Sequence, residues 1–375
     1  MDATLTIVGA GPAGLALARE LQRRGVRPVL LERGRVGETW ARQYAGLRLH
    51  ARAEASGLPG LPWRGTATPF PTAGEMVAYL RAYAEHFALD VREGVTVTDA
   101  EPAEDAWALR TDAGPWRSAG LVMATGIWSA PVTPPLPGRE AFRGRALHAS
   151  AYRGADEHAG AHELSGAHEL SGAHVLVVGI GNSGKDVALD AARVGASCTV
   201  AERRGVMFVP YPSRLTQHAG ALWRRLPPAL ADALLRRVRR EPQGRLRWPA
   251  RPLTEAYPVV GMELLDAVDA GRVAVRPEVV ALTERGARFR DGSEGEFDVI
   301  VFATGYRPAL DAVARYVRLD AAGRPLTTDG VTAAGASGLY LVGDRYPTLE
   351  TWLQHLRREA PAAAAVIAAG ARSRA

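Results

Sequence analysis

The sequence of 375 residues predicts an α/β fold, because two turns of the pattern G-x-G-x-x-G each stand between a predicted strand and a predicted helix. The turns are residues 9–14 and residues 179–184, about half a chain apart. Strand, glycine turn and helix in this order are typical of a Rossmann-like unit that binds the diphosphate of a dinucleotide. We therefore expect two Rossmann-like dinucleotide-binding domains in one chain, of the three-layer ββα type.

The first unit has every part of this design in order. A predicted strand at residues 5–8 leads into the turn, a helical stretch covers residues 15–24, and a second strand at residues 28–31 ends in Glu32. Glycines allow the tight turn, the close approach of the diphosphate and the close packing of the helix. A carboxylate about twenty residues after the turn is placed to accept hydrogen bonds from ribose hydroxyls, which is the role we expect for Glu32.

The second unit has strands at residues 175–178 and 197–201, and its second strand leads into Glu202, Arg203 and Arg204. Arginines at this position suit the 2′-phosphate of NADP. A carboxylate beside them could favour the free ribose of NAD instead. The sequence therefore favours NADPH and leaves NADH open.

The remaining elements suggest a domain order in which the second domain is inserted into the first. Residues 73–87 predict an amphipathic helix, residues 95–97 a strand, and residues 107–110 with 120–124 a hairpin. The run A-T-G after a strand occurs at residues 124–126 and again at 303–305, where the chain could cross between domains. We place the first domain at residues 1–150 and 297–375 and the second at residues 151–296.

The last third of the chain contains one further candidate site residue. A predicted strand at residues 338–344 delivers Asp344, and a helix is expected from about residue 351. Asp344 could bind a polar part of a cofactor or could cap that helix.

Composition limits the class of protein. Hydrophobic residues make up 47% and charged residues 23%, and no apolar run approaches the roughly 18 to 20 residues that span a bilayer. The first strand begins too early to leave room for a signal peptide, and Cys198 is the single cysteine, so we expect a cytoplasmic protein without disulfides. The net charge is +6, but no nucleic-acid motif accompanies it, and Lys185 is the single lysine among 46 basic residues. We expect a monomer or homodimer that acts on a small molecule.

Two segments invite other interpretations. His162, His168 and His174 lie in tandem copies of one short sequence, but their spacing matches no metal motif, so we expect a tolerant surface loop. Residues 214–252 are rich in arginine with leucines at helical spacing. A membrane-surface or partner role is open there, although a helical excursion with a solvated face is favoured.

The order of motifs resembles that of class B flavin-containing monooxygenases. The family pattern F-x-G-x-x-x-H-x-x-x-Y is met by Phe142, Gly144, His148 and Tyr152, between the first A-T-G run and the second glycine turn. The whole chain is similar to this family, and most similar to its YUCCA-like branch and small bacterial members. It departs from that branch at Gly261 and at the ending after Gly343.

This resemblance implies FAD in the first domain, NADPH in the second and O2 as co-substrate. It implies a C4a-(hydro)peroxyflavin that oxygenates nitrogen or sulfur or decarboxylates a 2-keto acid; Baeyer–Villiger chemistry is disfavoured by Tyr152. His50 is the catalytic candidate, on the segment where related enzymes place the residue that flanks the flavin adduct, and His148 has a structural or NADP-positioning role. The cofactor-binding candidates of the first domain are Gly9, Gly11, Pro12, Ala13, Gly14, Glu32, Arg33, Thr39, Trp40, His50, Val97, Thr125, Gly126 and Asp344. Those of the second are Gly179, Gly181, Asn182, Ser183, Gly184, Arg203 and Arg204, and Thr304 and Gly305 complete the set.

Other classes of flavoprotein have the same architecture. A disulfide reductase needs a redox-active cysteine pair, which Cys198 alone cannot supply. An NADPH-dependent reductase that passes electrons to a quinone or a protein is the alternative function, and a flavoprotein that senses the NADP redox state is a third.

Overall fold

A computed structural model describes residues 2–3, 5–44, 46–65, 68–154, 170–214, 216, 225–238, 246, 248–253, 256–321, 323–345, 347 and 350–372. The strands are β1 (Asp2–Ala3), β2 (Thr6–Val8), β3 (Val29–Glu32), β4 (Asp90–Glu93), β5 (Val97–Ala103), β6 (Ala106–Thr111), β7 (Gly114–Ser118), β8 (Leu121–Met123), β9 (Ala130–Pro131), β10 (Arg145–His148), β11 (His174–Val178), β12 (Ser197–Glu202), β13 (Met207–Val209), β14 (Pro258–Val260), β15 (Val273–Pro277), β16 (Val279–Leu282), β17 (Gly286–Phe289), β18 (Glu294–Glu296), β19 (Val299–Phe302), β20 (Tyr306–Arg307) and β21 (Leu339–Leu341). The α-helices are α1 (Pro12–Gln22), α2 (Glu38–Ala41), α3 (Ala53–Ser56), α4 (Ala73–His86), α5 (Asn182–Arg193), α6 (Pro228–Val238), α7 (Glu263–Asp269) and α8 (Trp352–Arg372), and 3-10 turns cover Arg139–Ala141, Ala149–Ala151 and Asp311–Tyr316. The chain forms two compact units, Met1–Ala41 with Ala51–Ala130 and Tyr306–Ala375, and Arg42–His50 with Pro131–Gly305.

The first unit is built around a parallel sheet in the order β21-β8-β2-β3-β4. Apart from the edge strand β4, its strands are short and mainly apolar because both faces are covered. One face packs on the sheet β1-β7-β6-β5, where Leu121 and Met123 share a core with Trp107 and Leu109. Helix α1 lies against helix α8 in the remaining layer.

The second unit repeats these three layers. Its parallel sheet has the order β10-β19-β11-β12-β15, and the antiparallel sheet β16-β17-β18 shares a core with it through Ile300, Phe302 and Phe289. Another core contains Val187 of α5 and Leu264 of α7. The predicted fold class, two Rossmann-like domains of the ββα type, is confirmed.

Several predicted elements differ in the structure. Residues 107–110 and 120–124 do not form a hairpin: β6 pairs with β7 in antiparallel fashion, whereas β8 joins the parallel sheet beside β2. Strand β4 was not predicted, and the strand expected at residues 95–97 begins only at Val97. Strand β4 contains three charged residues and one valine, so it lacks the apolar pattern by which a buried strand is predicted. This composition fits its position at the edge of the sheet.

The two units also divide the chain at other positions than the predicted 150/151 and 296/297. The structure divides it at 130/131, a few residues after the first A-T-G run, and at 305/306, directly after the second. Strand β10 belongs to the second unit because it pairs with β19 along its whole length. The segment Arg42–His50 is grouped with the second unit as well, which the sequence did not indicate.

Some predictions fall partly or wholly outside the described residues. The tandem copies with His162 and His168 lie there, while His174 begins β11. Helix α6 represents the predicted helical excursion, and the rest of that segment is described only in part. No helix among the described residues is both long and apolar enough to cross a membrane.

The glycines of the two turns carry the same steric constraint. Gly9 and Gly179 have φ of +106° and +101°, in the region that favours glycine. A Cβ added at Gly14 would overlap the carbonyl oxygen of Gly9, and one added at Gly184 would overlap that of Gly179. In contrast, a Cβ added at Gly11 would meet nothing within 4 Å.

We predict that Gly14→Ala and Gly184→Ala each lower the free energy of unfolding by about 3 kcal/mol, because the new methyl group must push a helix away from its strand. Urea unfolding without added nucleotide measures this effect. Gly11→Ala and Gly181→Ala are matched controls, since their Cβ atoms enter open space and both residues have negative φ. Equal destabilisation by the test and control variants would contradict the steric explanation.

Candidate cofactor and active site

A pocket in the first unit lies at the carboxyl ends of β2 and β8. It encloses about 530 Å³, part of it open to solvent. Its walls combine the first glycine turn, the end of β3, helix α2, the run after β8 and one side chain of α8: Gly9, Gly11, Pro12, Ala13, Glu32, Gly37, Glu38, Thr39, Trp40, Ala124, Thr125, Gly126, Ile127, Trp128, Ser129 and Trp352. The ends of neighbouring parallel strands are the usual ligand position in such sheets.

The turn at this pocket is suited to an anion. Helix α1 begins at Pro12 with no acidic residue in its first turn, so the positive end of its dipole is not neutralised. Open space lies where a Cβ of Gly11 would project. The backbone can therefore come close to a diphosphate.

Glu32 lies at the end of β3, as predicted, and is held by backbone amides. Its Oε2 accepts from the amide of Ala10 at 2.8 Å, and its Oε1 accepts from the amide of Gly34 at 3.0 Å. These bonds fix the carboxylate in the wall of the pocket. A carboxylate oxygen can accept more than one hydrogen bond, so Glu32 retains capacity for ribose hydroxyls.

Three tryptophans form an aromatic row in the same wall. The rings of Trp40 and Trp128 lie 6.0 Å apart, and those of Trp128 and Trp352 lie 5.2 Å apart, both edge to face. The Nε1 of Trp352 is buried and donates to no described residue. A buried indole donor in the wall of a pocket is suited to a polar ligand atom.

The pocket brings together many of the predicted cofactor residues but not all. Of the first-domain candidates, Gly14, Arg33, His50, Val97 and Asp344 are not in its wall. Gly14 instead allows helix α1 to pack closely against the carbonyl of Gly9, and Val97 is the first residue of β5. Conversely, sequence reasoning missed Gly37, Glu38, Ala124, Ile127, Trp128, Ser129 and Trp352, although the A-T-G run could have pointed to residues 127–129.

The second glycine turn has the same geometry in its own unit. Helix α5 begins at Asn182 after Gly181 and has no acidic residue in its first turn. The side chain of Asn182 is engaged with β14: its Oδ1 accepts from the amide of Val260 at 2.8 Å and its Nδ2 donates to the oxygen of Pro258 at 3.3 Å. The turn can hold a diphosphate, while Asn182 positions the neighbouring strand.

Arg203 and Arg204 are exposed at the end of β12. Arg203 lies 3.8 Å from Glu278, a loose ion pair, and Glu202 accepts from the amide of Gly205. Exposed ion pairs contribute little free energy, so both guanidinium groups can reorient toward a phosphate without a large loss of stability. The carboxylate of Glu202 is held by the backbone amide of Gly205 in the turn that follows β12.

The residues of the family pattern at 142–152 make packing contacts and hydrogen bonds within the second unit. Gly144 is packed against the ring of Phe142 and the carbonyl of Asp298, where no Cβ fits. The Nε2 of His148 lies 3.1 Å from the oxygen of Gly305, and the hydroxyl of Tyr152 donates to Asp190 at 2.5 Å. Burial lowers the pKa of His148. These contacts are structural ones between β10, α5 and the second A-T-G run.

His50 lies in the second unit within a cluster of polar side chains. Its ring contacts that of Tyr211 edge to face at 6.4 Å. The pKa of His50 is lowered to about 4, mainly by burial, with Lys185 lowering it further and Asp186 opposing both. The imidazole is therefore neutral at neutral pH and can donate or accept a hydrogen bond without charge.

Lys185, the single lysine of the chain, is fully buried in this cluster. Its Nζ donates to the oxygen of Val260 at 2.7 Å and lies 3.0 Å from Asp186 and 3.4 Å from the hydroxyl of Tyr211. Burial alone would lower the pKa of Lys185, but Asp186, Tyr211 and Glu263 raise it above its usual value. Asp186 also accepts from Tyr44 at 2.5 Å, which ties the segment Arg42–His50 to helix α5.

Two glycine turns on two parallel sheets, each followed by a helix with an open N-terminal turn, define the class of oxidoreductases that hold two dinucleotides. A family model described as pyridine nucleotide-disulphide oxidoreductase matches residues 6–213. The chain is 36% identical over 363 residues to the indole-3-pyruvate monooxygenase YUCCA1 of Oryza sativa subsp. japonica, covering 90% of this chain and 85% of that protein. It is 31% identical over 364 residues to the probable indole-3-pyruvate monooxygenase YUCCA1 of Arabidopsis thaliana, covering 90% and 84%. A flavin-containing monooxygenase from Stenotrophomonas maltophilia has the same fold, with a TM-score of 0.75, 23% identity and 98% of each chain covered.

The chain belongs to the pyridine nucleotide-disulphide oxidoreductase family and, within it, to the YUCCA-like flavin monooxygenases. It is a flavin-dependent monooxygenase. The resemblance inferred from residues 142–152 is thereby confirmed. The single cysteine, Cys198, is not suited to the thiol chemistry of a disulfide reductase, because burial raises the pKa of its thiol to about 12 and leaves it unreactive.

We predict that the stability of the protein falls as the pH drops from about 6.5 to about 4, because the unfolded chain then binds a proton at His50 that the folded chain excludes. A shift from 6.5 to about 4 corresponds to about 3 kcal/mol at the lower end of this range. In His50→Gln this part of the pH dependence should be absent, as measured by urea unfolding at a series of pH values. Identical pH profiles of the wild type and His50→Gln would contradict the lowered pKa.

Proposed function

We propose that the protein binds FAD in the first unit and NADPH in the second, and that it uses O2 to decarboxylate a 2-keto acid oxidatively. The observation that carries the substrate class is the 36% identity to an indole-3-pyruvate monooxygenase over nine tenths of the chain. An aryl 2-keto acid is therefore the first substrate to test. Oxygenation of a nitrogen or sulfur atom is the other candidate within this class, and Baeyer–Villiger oxidation is disfavoured.

The residues of the first pocket are suited to FAD. The amides at the start of α1 would bind the diphosphate, Glu32 would accept from the ribose, and the Nε1 of Trp352 would donate to a polar cofactor atom. The tryptophan row would keep water away from the bound group. When bound, the flavin would supply the two-electron reduction and the activation of O2.

The second turn would hold NADPH in the same manner. Arg203 and Arg204 would bind the 2′-phosphate, and helix α5 would direct its N-terminus at the diphosphate. His50 is the residue we propose at the reacting centre, as a neutral hydrogen-bonding group. Buried Lys185 would keep it neutral by opposing a second positive charge nearby.

The proposed reaction balances as follows. One 2-keto acid, one O2, one NADPH and one proton give the shortened carboxylate, CO2, water and NADP+. The bond between the carbonyl carbon and the carboxylate breaks, and one oxygen atom of O2 enters the new carboxylate. The other oxygen atom leaves as water with the two electrons of NADPH.

We predict that the protein converts indole-3-pyruvate under 18O2 to a product carrying one labelled oxygen atom in its carboxylate, as measured by mass spectrometry. NADPH consumption should match product formation. Phenylpyruvate tests the breadth of the 2-keto acid class, and an organic sulfide or tertiary amine tests heteroatom oxidation. Stoichiometric hydrogen peroxide without labelled product, together with rapid reduction of a quinone, would favour the reductase instead.

We predict that Arg203→Ala combined with Arg204→Ala raises KM for NADPH about 10- to 100-fold and changes KM for NADH little, because charge-assisted hydrogen bonds to a phosphate contribute about 1.5 to 3 kcal/mol. Steady-state kinetics with both nucleotides measures this selectivity. Arg290→Ala is the matched control, since Arg290 is an exposed arginine that also pairs with Glu278. An equal rise of KM for both nucleotides would contradict recognition of the 2′-phosphate.

A further inference from the structure

Asp344 is a buried carboxyl group whose hydrogen bonding is incomplete. Its side chain is 5% exposed, and its Oδ2 accepts from no described residue. The Nε of Arg345 lies 4.0 Å away, beyond hydrogen-bond distance. Asp344 follows Gly343, where an added Cβ would lie 2.5 Å from the Cβ of Ala13 and 3.5 Å from the ring of Trp352, two residues of the pocket wall. The carboxyl group is therefore next to the pocket, and a ligand there could supply the donor that its Oδ2 lacks.

Glu359 of α8 contacts the same turn. Its Oε1 accepts from the amide of Gly343 at 3.2 Å, so Glu359 holds the residue that precedes Asp344. Its Oε2 is buried and accepts from no described residue, and the Nε2 of His355 lies 3.8 Å from it. Two carboxyl groups thus lie at one turn, each with a buried oxygen that has no donor among the described residues.

The electrostatic environment favours a proton on this pair. Burial raises the pKa of Asp344 and of Glu359, and Asp344 raises that of Glu359 further, while His355 and Arg345 oppose the shift. The other charged groups on and around α8 are engaged elsewhere. Glu350 pairs with Arg358 and also lies 3.2 Å from the Nδ1 of His355, so His355 stands between Glu350 and Glu359. Arg357 donates to the oxygens of Gly57 and Glu54, and Glu20 of α1 pairs with Arg19, Arg23 and Arg24.

We propose that Glu359 is a positioning residue for the flavin site, which holds Asp344 in place and carries the proton that the pair retains when the cofactor is bound. This inference rests on the proposed use of FAD. A cofactor hydroxyl that donates to Asp344 favours its ionised form. The anionic diphosphate and the burial of both carboxyl groups disfavour a second negative charge, so Glu359 takes up the proton.

A linkage between cofactor binding and a proton follows from this arrangement. At low pH both carboxyl groups are protonated, and FAD must displace the proton of Asp344. At high pH both are ionised, and FAD binding must add a proton to Glu359. The affinity for FAD should therefore be greatest at an intermediate pH and should fall on the alkaline side by up to about tenfold per pH unit, the limit for one proton.

The test is to titrate the deflavinated full chain with FAD over a pH series. Binding is measured by the quenching of flavin fluorescence. Calorimetry in two buffers of different ionisation enthalpy counts the protons taken up. We expect the wild type to lose affinity on the alkaline side and to take up as much as one proton there. Glu359→Gln should keep the acid side of the profile and lose the alkaline side, because glutamine resembles the protonated form.

Two further variants separate this role from a general structural one. Glu20→Gln changes another buried glutamate of the first unit and should leave the pH profile of FAD affinity as in the wild type, whatever its stability. Asp344→Asn should weaken FAD binding at every pH above the acid limb. The proton count on the wild type needs no variant, so it holds even where Glu359→Gln folds poorly.

The outcomes are distinct for the two proposals. Zero proton uptake on the alkaline side, or the same profile for the wild type and Glu359→Gln, would overturn the role of Glu359 while FAD remains the cofactor. A wild-type chain that binds no FAD at any pH would overturn the proposed cofactor and this inference with it.

Discussion

The close contact between the first and third glycines of each turn is the constraint on which the molecule depends. Gly14 packs on the carbonyl of Gly9, and Gly184 packs on that of Gly179, so the following helix starts directly at the end of its strand. A further contact repeats as well: a Cβ on Gly9 or on Gly179 would lie 2.6 Å from the carbonyl of Ala124 or Ala303. Each turn is thus fixed between its own helix and the A-T-G run of the adjacent strand, and this packing sets the position of both turns that we propose to bind phosphate.

Much of the fold could be predicted because most of its parallel strands are short apolar runs, and because β2 and β11 lead directly into a glycine turn. Helix α4 was predicted from its periodicity, and the structure adds a capping box between Thr72 and Glu75. The predicted hairpin was wrong because Leu121–Met123 has the composition of any short buried strand. The pairing of β8 with β2 is nonlocal. The strand that follows β6 and forms a hairpin with it is β7, which contains Pro115 and few apolar residues and so does not have the sequence pattern of a strand.

The site was predictable where backbone geometry defines it and unpredictable where distant side chains complete it. The turn residues and Glu32 follow from motif and spacing. Trp352 enters the same wall from α8, more than two hundred residues after Trp128, and only tertiary packing brings the two rings together. The ties of Tyr44 to Asp186 and of Tyr152 to Asp190 were missed too, although two aspartates four residues apart on α5 were a usable signal for one face.

The distribution of charge suits the proposed binding of two anionic dinucleotides. Both turn helices lack acidic residues in their first turn, so the positive end of each helix dipole is available to a phosphate. Carboxylates stand instead at the strand ends: Glu32 and Glu202 close the second strand of each unit, and both accept from backbone amides. Each unit therefore combines a helix N-terminus that is suited to a phosphate with a carboxylate that is suited to sugar hydroxyls. Backbone bonds fix the direction of both carboxylates, because Glu32 accepts from the amides of Ala10 and Gly34 and Glu202 accepts from that of Gly205.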